Sequence, residues 1–408
     1  IKDLDAALVI GSFLRKDHPL VAQRLRQLAK KWGKVSLLSV AGDDPLIKLH
    51  AHLAVSPADL PRALAAVVKA AARLKGELVP PGLEAVEPCP ISEAIASSLL
   101  AGEKRALFLG NAAEQNPQAA QLHALALELA RLTGASCGFL GEGANSVGGH
   151  VAKALPTALN AYEMFAQPRK AYVLLGVEPE LDCHNPQQAL AALKDAALVV
   201  VLTPFADGLV RDYADVLLPI SPFTETAGTF VNAEGRVQSF QGVVRPLGDS
   251  RPGWKVLRVL GNLLGLPGFD QDSSEQVRDE IAPPGQEFVA GLNNGLAALP
   301  LSLAFARSGL QRVADVPIYF ADPLARRAPA LQKTRDAAAP MARMSAQTLA
   351  TLRIGDGVPV RLRQADGEVV LTARADETVP AGCVRVAAAH ASTAALGEMF
   401  GAINVERA

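Results

Sequence analysis

Three times along the chain a run of leucine and β-branched residues ends at a glycine, crosses a polar loop holding a proline, and enters a stretch of helical spacing. The runs are residues 4–10 before Gly11, 105–109 before Gly110 and 170–175 before Gly176, and the prolines are Pro19, Pro117 and Pro186. Proline presets the backbone angle of a first helical turn, and Asn116 and Asn185, one residue earlier, are placed as N-caps. Helical periodicity follows over 20–32, 118–132 and 187–195, with further strands expected at 34–40, 136–140 and 197–202. Strand and helix in alternation predict an α/β fold of Rossmann-like parallel sheets with helices on both faces.

Other segments read differently. Residues 215–220 form a short apolar run containing Pro219, which suits a strand buried on both faces. Residues 229–231 and 236–240 alternate around Asn232-Ala233-Glu234-Gly235, a hairpin in which Gly235 takes the left-handed conformation. Residues 252–282 look helical, with Trp254, Leu257, Leu260, Leu263 and Leu264 spaced as a core-packing stripe. Residues 322–343 are rich in alanine, proline and basic side chains without a clean period, the pattern of a linker or docking segment. Beyond it, 358–363 and 368–374 alternate around Ala365-Asp366-Gly367, and 383–387 follows Pro380-Ala381-Gly382, which together predict a small β-barrel. The expected plan is an α/β unit at 1–85, a second α/β domain at 86–321 with its helical segment 252–282, a linker at 322–344 and a barrel at 345–408. A proline-rich boundary at 79–82 and 87–90 separates the first two.

Composition narrows the class. A length of 408 residues, half of them hydrophobic, supports several cores, and a net charge of -1 argues against nucleic acid or an acidic membrane surface as the main partner. Aromatics at 5% fit alanine-rich helices packed on sheets more than an all-β sandwich. Cys89, Cys137, Cys183 and Cys383 lie dozens of residues apart, so neither an iron–sulfur cluster nor a structural zinc is expected within these residues. They are too few for a disulfide framework, which favours a reducing compartment. No apolar run reaches the roughly 20 residues of a membrane span, and no signal peptide is visible. Because Ile1 is not methionine and a strand begins within four residues, the chain is expected to be a fragment cut at a domain boundary.

Candidate chemistry is sparse. No phosphate-binding Gly-x-x-x-x-Gly-Lys-Ser/Thr loop and no Gly-x-Ser-x-Gly elbow occurs. Residues 141–146 match only the first half of a dinucleotide fingerprint, since Ser146 stands at the third glycine, and with 147–149 they read as a flexible loop. His50 and His52 share one face of a strand but lack a third ligand, so they are read as surface histidines. Cys183-His184 follows a strand, yet a catalytic thiolate needs a base placed across space, and the pair is read as incidental. Glu234 is read as a solvated turn residue and Glu225 as a partner of neighbouring backbone. No catalytic or metal-ligating residue is expected.

The three strand-to-glycine loops, the 212–246 segment and the final barrel together resemble the molybdopterin oxidoreductase superfamily, whose members share paired α/β domains and a C-terminal double-psi β-barrel. Many of them carry an Ala-Asp-Val-Leu-Leu-Pro strand followed by a Gly-Thr-x-x-Asn-x-Glu-Gly-Arg-x-Gln hairpin, read here at 214–219 and 228–238. Within the superfamily, 143–149 and 251–261 are similar to the large iron–sulfur subunit of bacterial respiratory complex I, the NADH:quinone oxidoreductase. That resemblance implies iron–sulfur clusters upstream of Ile1 and the other peripheral-arm subunits as partners. It also implies a place on the cytoplasmic side of the inner membrane, within a complex that passes electrons from NADH to quinone and translocates protons. This region is then expected to be structural and cofactor-free. The alternative is a fragment of a catalytic molybdopterin-dependent enzyme such as a formate dehydrogenase or nitrate reductase. A free-standing nucleotide-binding module is a weaker reading, because no phosphate loop is complete. A vestigial pterin-type cleft would use the loops near Gly11, Gly110, Gly176 and Thr203. Asp17, Glu114, Glu178 and Glu180 in those loops would repel a pyrophosphate, which points to an empty cleft.

Overall fold

The computed structural model of the protein describes residues 1–297, 299–303 and 309–408. It forms two compact units: the first contains Ile1–Glu142, Asn294–Ala321 and Pro329–Ala408, the second Gly143–Asn293 and Asp322–Ala328. Among the described residues no helix is long and apolar enough to cross a membrane.

The first unit is built on a parallel sheet of strands β1 (Ala6–Ile10), β2 (Lys34–Ser39), β3 (Ala51–Ala54), β4 (Arg105–Leu109) and β5 (Ser136–Phe139), in the order β3-β2-β1-β4-β5. The apolar run of β1 is buried along its whole length, as a central strand covered on both faces requires. Leu25 and Leu28 of helix Pro19–Lys30 pack on Val9, Val35 and Leu37 on one face. On the other, helices Leu60–Lys75, Pro90–Ala101 and Ala119–Thr133 cover Leu8, Ile10, Leu107 and Leu109. Helix Leu60–Lys75 is buried almost continuously to Ala72, and its many alanines let neighbouring helices approach closely. Asn185 caps helix Pro186–Lys194 as expected, its Oδ1 accepting from Gln188 N at 3.2 Å. Asn116 does not cap: its helix starts at Ala119, while the Asn116 side chain accepts from Gln118 N at 2.8 Å and donates to Pro57 O at 2.8 Å.

In the second unit β6 (Ala171–Leu175), β7 (Leu198–Thr203) and β8 (Val216–Pro219) form a parallel sheet in that order. Burial alternates along β6, with Tyr172 and Leu174 in the core and Val173 58% exposed. The expected double burial of 215–220 is corrected, because β8 is an edge strand and Val216 is 41% exposed. The hairpin forms as read, with β9 (Gly228–Val231) antiparallel to β10 (Val237–Phe240). Its turn is organised by Asn232, whose Oδ1 accepts from the N–H groups of Glu234 and Arg236, each at 3.0 Å. Residues 252–282 are not one helix: Gly253–Leu263 and Ser274–Ile281 are separated at Gly265-Leu266-Pro267-Gly268. The stripe is only partly core, since Leu263 is 81% exposed. The supposed flexible loop also differs, because Ser146–Val151 is a short helix.

The barrel belongs to the first unit. It closes in the order β11 (Leu310–Val313), β15 (Cys383–Arg385), β12 (Ala342–Met344), β14 (Gly367–Ala375), β13 (Pro359–Gln364) and β16 (Phe400–Arg407). Val360, Leu362, Val384 and Ile403 fill its core.

Candidate functional site

The predicted loops after β1 and β4 touch each other. Gly11 donates to Leu38 O at 2.7 Å and turns with φ +62°, and a Cβ on it would lie 2.5 Å from Ala113 N. A Cβ on Gly110 would lie 2.5 Å from Ser12 Cβ. Both glycines therefore serve loop-on-loop packing, and side chains from these loops make the polar surface at the strand ends.

Three polar atoms there are buried without a well-formed hydrogen bond: His18 Nε2, Asp43 Oδ2 and Asn111 Oδ1. Burial holds the His18 imidazole below its usual range, with the Asn111 amide opposing it. Burial pushes the Asp17 carboxyl up to about 7, against the Phe13 N–H it accepts at 2.9 Å, and the neighbouring Asp315 carboxylate pushes the same way. Burial likewise raises Glu114 to about 7, aided by the charge of Glu142, whose own carboxyl is raised by burial. Asp315 is held low despite its burial by Arg385, 2.9 Å from its Oδ2, with Lys16 4.0 Å from the same oxygen. Arg385 also donates to Gly42 O at 3.2 Å and lies over the Phe13 ring at 4.7 Å.

In the second unit Gly176 follows β6 with φ +63° and donates to Leu202 O at 2.8 Å. No atom lies within 4 Å of the position a Cβ would take, so its backbone is open to a ligand. The Thr203 hydroxyl is bent onto its own chain, accepting from Phe205 N and donating to Phe205 O, both at 3.1 Å. A cavity of about 180 Å³ is lined by Gly176, Glu178, Thr203, Phe205, Ser221 and Asp322 among others. Its wall includes residues of the predicted linker. Asp322 caps helix Pro323–Arg326 by accepting from Leu324 N at 2.8 Å. Arg326 then pairs with Glu178 at 2.7 Å and with Asp182, while Arg327 pairs with Glu178 at 2.6 Å and Asp207 at 2.7 Å and lies over the Phe205 ring. Glu180 accepts from the Tyr213 hydroxyl at 3.3 Å, and burial raises its carboxyl.

The electrostatic argument for an empty cleft is thereby undone. Of its four acids, Glu178 is neutralised by two guanidinium groups, and Asp17, Glu114 and Glu180 are shifted toward their neutral forms. The tandem arginines in an otherwise alanine- and proline-rich stretch were the visible signal for this pairing.

The remaining candidates are dispersed. His50 is exposed, whereas His52 is half-buried on β3 with Nε2 2.8 Å from Ser39 Oγ, so it is not a surface histidine. Burial pushes the Cys183 thiol up to about 11, far from a thiolate nucleophile near neutral pH. Glu225 accepts from Leu247 N at 3.1 Å, and Glu234 is exposed in its turn. Among the described residues, no group of three or more His, Cys, Asp or Glu side chains is arranged to hold a metal.

Comparison with known proteins gives this geometry a family. The molybdopterin oxidoreductase family matches residues 1–263. The chain belongs to that family. A putative formate dehydrogenase of Staphylococcus aureus strain USA300 is 46% identical over 92 residues, and its counterpart in the bovine strain RF122 / ET3-1 is 39% identical over the same length. Each match covers 22% of this chain and 9% of the relative. The acetylene hydratase of Pelobacter acetylenicus superposes with a TM-score of 0.71 at 13% identity, covering the whole of this chain and 78% of its own, a likeness of fold. The expectation of a cofactor-free chain is corrected by the family, whose members are molybdopterin oxidoreductases. The residues present fit such a group. A pterin carries ring N–H donors and ring acceptors, and the polar atoms of His18, Asp43 and Asn111 in the first unit, buried without a well-formed hydrogen bond, suit its edge.

Proposed function

We propose that this chain is part of a catalytic molybdopterin-dependent oxidoreductase of the formate dehydrogenase kind. The observation that carries the reading is the set of buried polar atoms that make no well-formed hydrogen bond at the strand ends of the first unit, inside the region matched by the family. Such atoms are uncommon in a finished protein interior, and a heterocycle with donors and acceptors on its edge would satisfy them. When bound, the cofactor would supply a metal centre for two-electron transfer. Within this chain His18, Asp43 and Asn111 would orient the ring system. Asp17 and Glu114, raised by burial to about 7, would hold protons near neutral pH and so donate to acceptors where ordinary carboxylates could only accept. Gly176, Ser221 and Thr203 line a cavity that lies within the second unit alone and would take a polar group of its own.

The test uses the full-length protein. Metal analysis with pterin extraction is expected to find both in stoichiometric amount, and formate is expected to reduce an artificial dye acceptor. Absence of molybdenum and pterin from protein purified intact would sink the proposal.

A second reading places the chain in the large subunit of an NADH:quinone oxidoreductase, with the peripheral-arm subunits as partners. It is favoured by the 143–149 and 251–261 motifs and by the bond from Val231 N to Asn145 Oδ1 at 2.8 Å, which ties the first motif to the hairpin. Co-purification with NADH-driven quinone reduction is the outcome that would select it.

A further inference from the structure

The N-terminal ends of the strands in the first unit, away from the loops of the candidate site, carry a feature that neither reading uses. Helix Pro19–Lys30 closes on Lys31, and the next residue, Trp32, has φ 71°. The left-handed position after a helix favours glycine or asparagine, because a side chain there crowds the backbone. A large ring at that position strains the chain. It contributes nothing to the core in exchange, since Trp32 is 90% exposed. The turn is held by backbone alone: Lys31 N donates to Leu28 O at 2.9 Å and Gly33 N to Leu28 O at 3.1 Å.

Lysines lie near Trp32 in sequence and in strand register. Lys30, Lys31 and Lys34 flank it in sequence, and the parallel register adds Lys104, since Lys34 N donates to Asp5 O at 2.8 Å and Asp5 N to Lys104 O at 2.6 Å. Three adjacent strands thus begin side by side, about 4.8 Å apart. Lys2 lies just upstream of the first. All five lysines are exposed, and the lysines in ion pairs among the described residues are others, Lys16, Lys69 and Lys75. Three carboxylates share the pole. All three are exposed, and Asp5 Oδ2 accepts from Glu103 N at 2.9 Å and Lys104 N at 2.7 Å.

We propose that this pole docks an acidic segment of a partner protein, with Trp32 as the anchor and the lysines as its electrostatic ring. Tryptophan is enriched among interface hot spots, where a few side chains carry most of the binding. An acidic protein segment is favoured over an anionic bilayer because a flexible chain can set its carboxylates on the lysines and pass clear of Asp3 and Glu103, whereas a continuous layer of lipid phosphates meets both signs at once. The helix also offers no continuous apolar face to a membrane: its other exposed large apolar residue, Leu20, lies at the opposite end of a 12-residue helix, roughly 18 Å away.

The test compares wild type, Trp32→Gly and the double variant Lys31→Glu/Lys34→Glu in the full-length protein. The probes are fluorescein-labelled poly-L-glutamate, followed by anisotropy, and phosphatidylglycerol vesicles, followed by sedimentation. Poly-L-glutamate is expected to bind in a salt-sensitive manner, about tenfold more weakly to each variant. Trp32→Gly is expected to melt at the same temperature as wild type or higher, because glycine relieves the left-handed strain. A tryptophan with a merely structural role would give the reverse, a lower melting temperature and unchanged binding. That result, no poly-L-glutamate binding at low salt, or vesicle binding that depends on Trp32 without poly-L-glutamate binding, would each overturn the proposal.

Discussion

Arg312 stands inside the barrel at 2% exposure with no carboxylate within ion-pair distance among the described residues. Burial lowers its guanidinium to about 10, and the charge is held by polar acceptors: Nη1 donates to Gln364 Oε1 at 3.1 Å, Gly397 O at 3.0 Å and Glu398 O at 3.1 Å. Replacing it by alanine leaves those acceptors without their donor and opens a void, so Arg312→Ala is expected to lower unfolding stability by about 3 kcal/mol in urea titration. Asp17 gives a pH-dependent expectation of definite sign. Its folded pKa, raised to about 7 by burial, lies above the ordinary carboxyl value of 3.8, so the folded state binds the proton more tightly than the unfolded one. The stability linked to this proton is present at acid pH and is lost as pH climbs from about 4 to about 7. The groups facing it are the Phe13 N–H, Ser12, Asp43 and Asp315. Melting temperatures of wild type and Asp17→Asn are expected to converge near pH 4 and diverge toward pH 8 in favour of the variant. Asp17 was visible in the sequence as a loop acid, but its titration was not, because part of its surroundings comes from Asp315, almost 300 positions along the chain.

At the scale of elements, the helix Ser146–Val151 and the hairpin β9–β10 behave as one piece. Asn145 Oδ1 accepts from Val231 N, and Gly148 is packed so closely on that side chain that a Cβ would lie 1.9 Å from Oδ1. Asn145→Ala is expected to cost about 1 kcal/mol, and Gly148→Ala to displace Asn145 and break the same bond. In a double-mutant cycle the two should therefore be strongly non-additive, with the double variant little worse than Gly148→Ala alone. Elements with a sharp local signal were legible. The β9–β10 hairpin follows from alternation around Asn232–Gly235, and the strand-to-glycine loops from their repeated plan. Helix Leu60–Lys75 carries a readable apolar period, but its nearly continuous burial was hidden, because the partners that let Lys69 sit inside, Glu84 O and the Glu87 carboxylate, come from a later loop. The position of β8 at the sheet edge was equally hidden, since an apolar run does not say how many neighbours a strand has.

At the scale of the whole molecule, the two units have separate hydrophobic cores of unequal size. The first unit holds the sheet and barrel cores, the second a smaller one around Tyr172, Val199 and Val201. Differential scanning calorimetry is expected to resolve two transitions, with hydrogen exchange assigning the lower one to the second unit. The α/β class and the terminal barrel were readable from alternation of element types. Which strands closed the barrel was not, because β11 lies at Leu310–Val313, well before the other signals, and pairs with β15 and β16 across more than 70 residues. The candidate site was legible only as a set of loops, since its poorly satisfied polar atoms and paired arginines depend on burial and on partners distant in sequence. The same closure has a bearing on handling. Strand β16 binds β11 on one side and β13 on the other, so the last eight-residue strand is the clasp of the ring. Cleavage after Met399 that releases β16 would bare one edge each of β11 and β13, and those two raw edges would turn a closed barrel into a seed for intermolecular sheet growth.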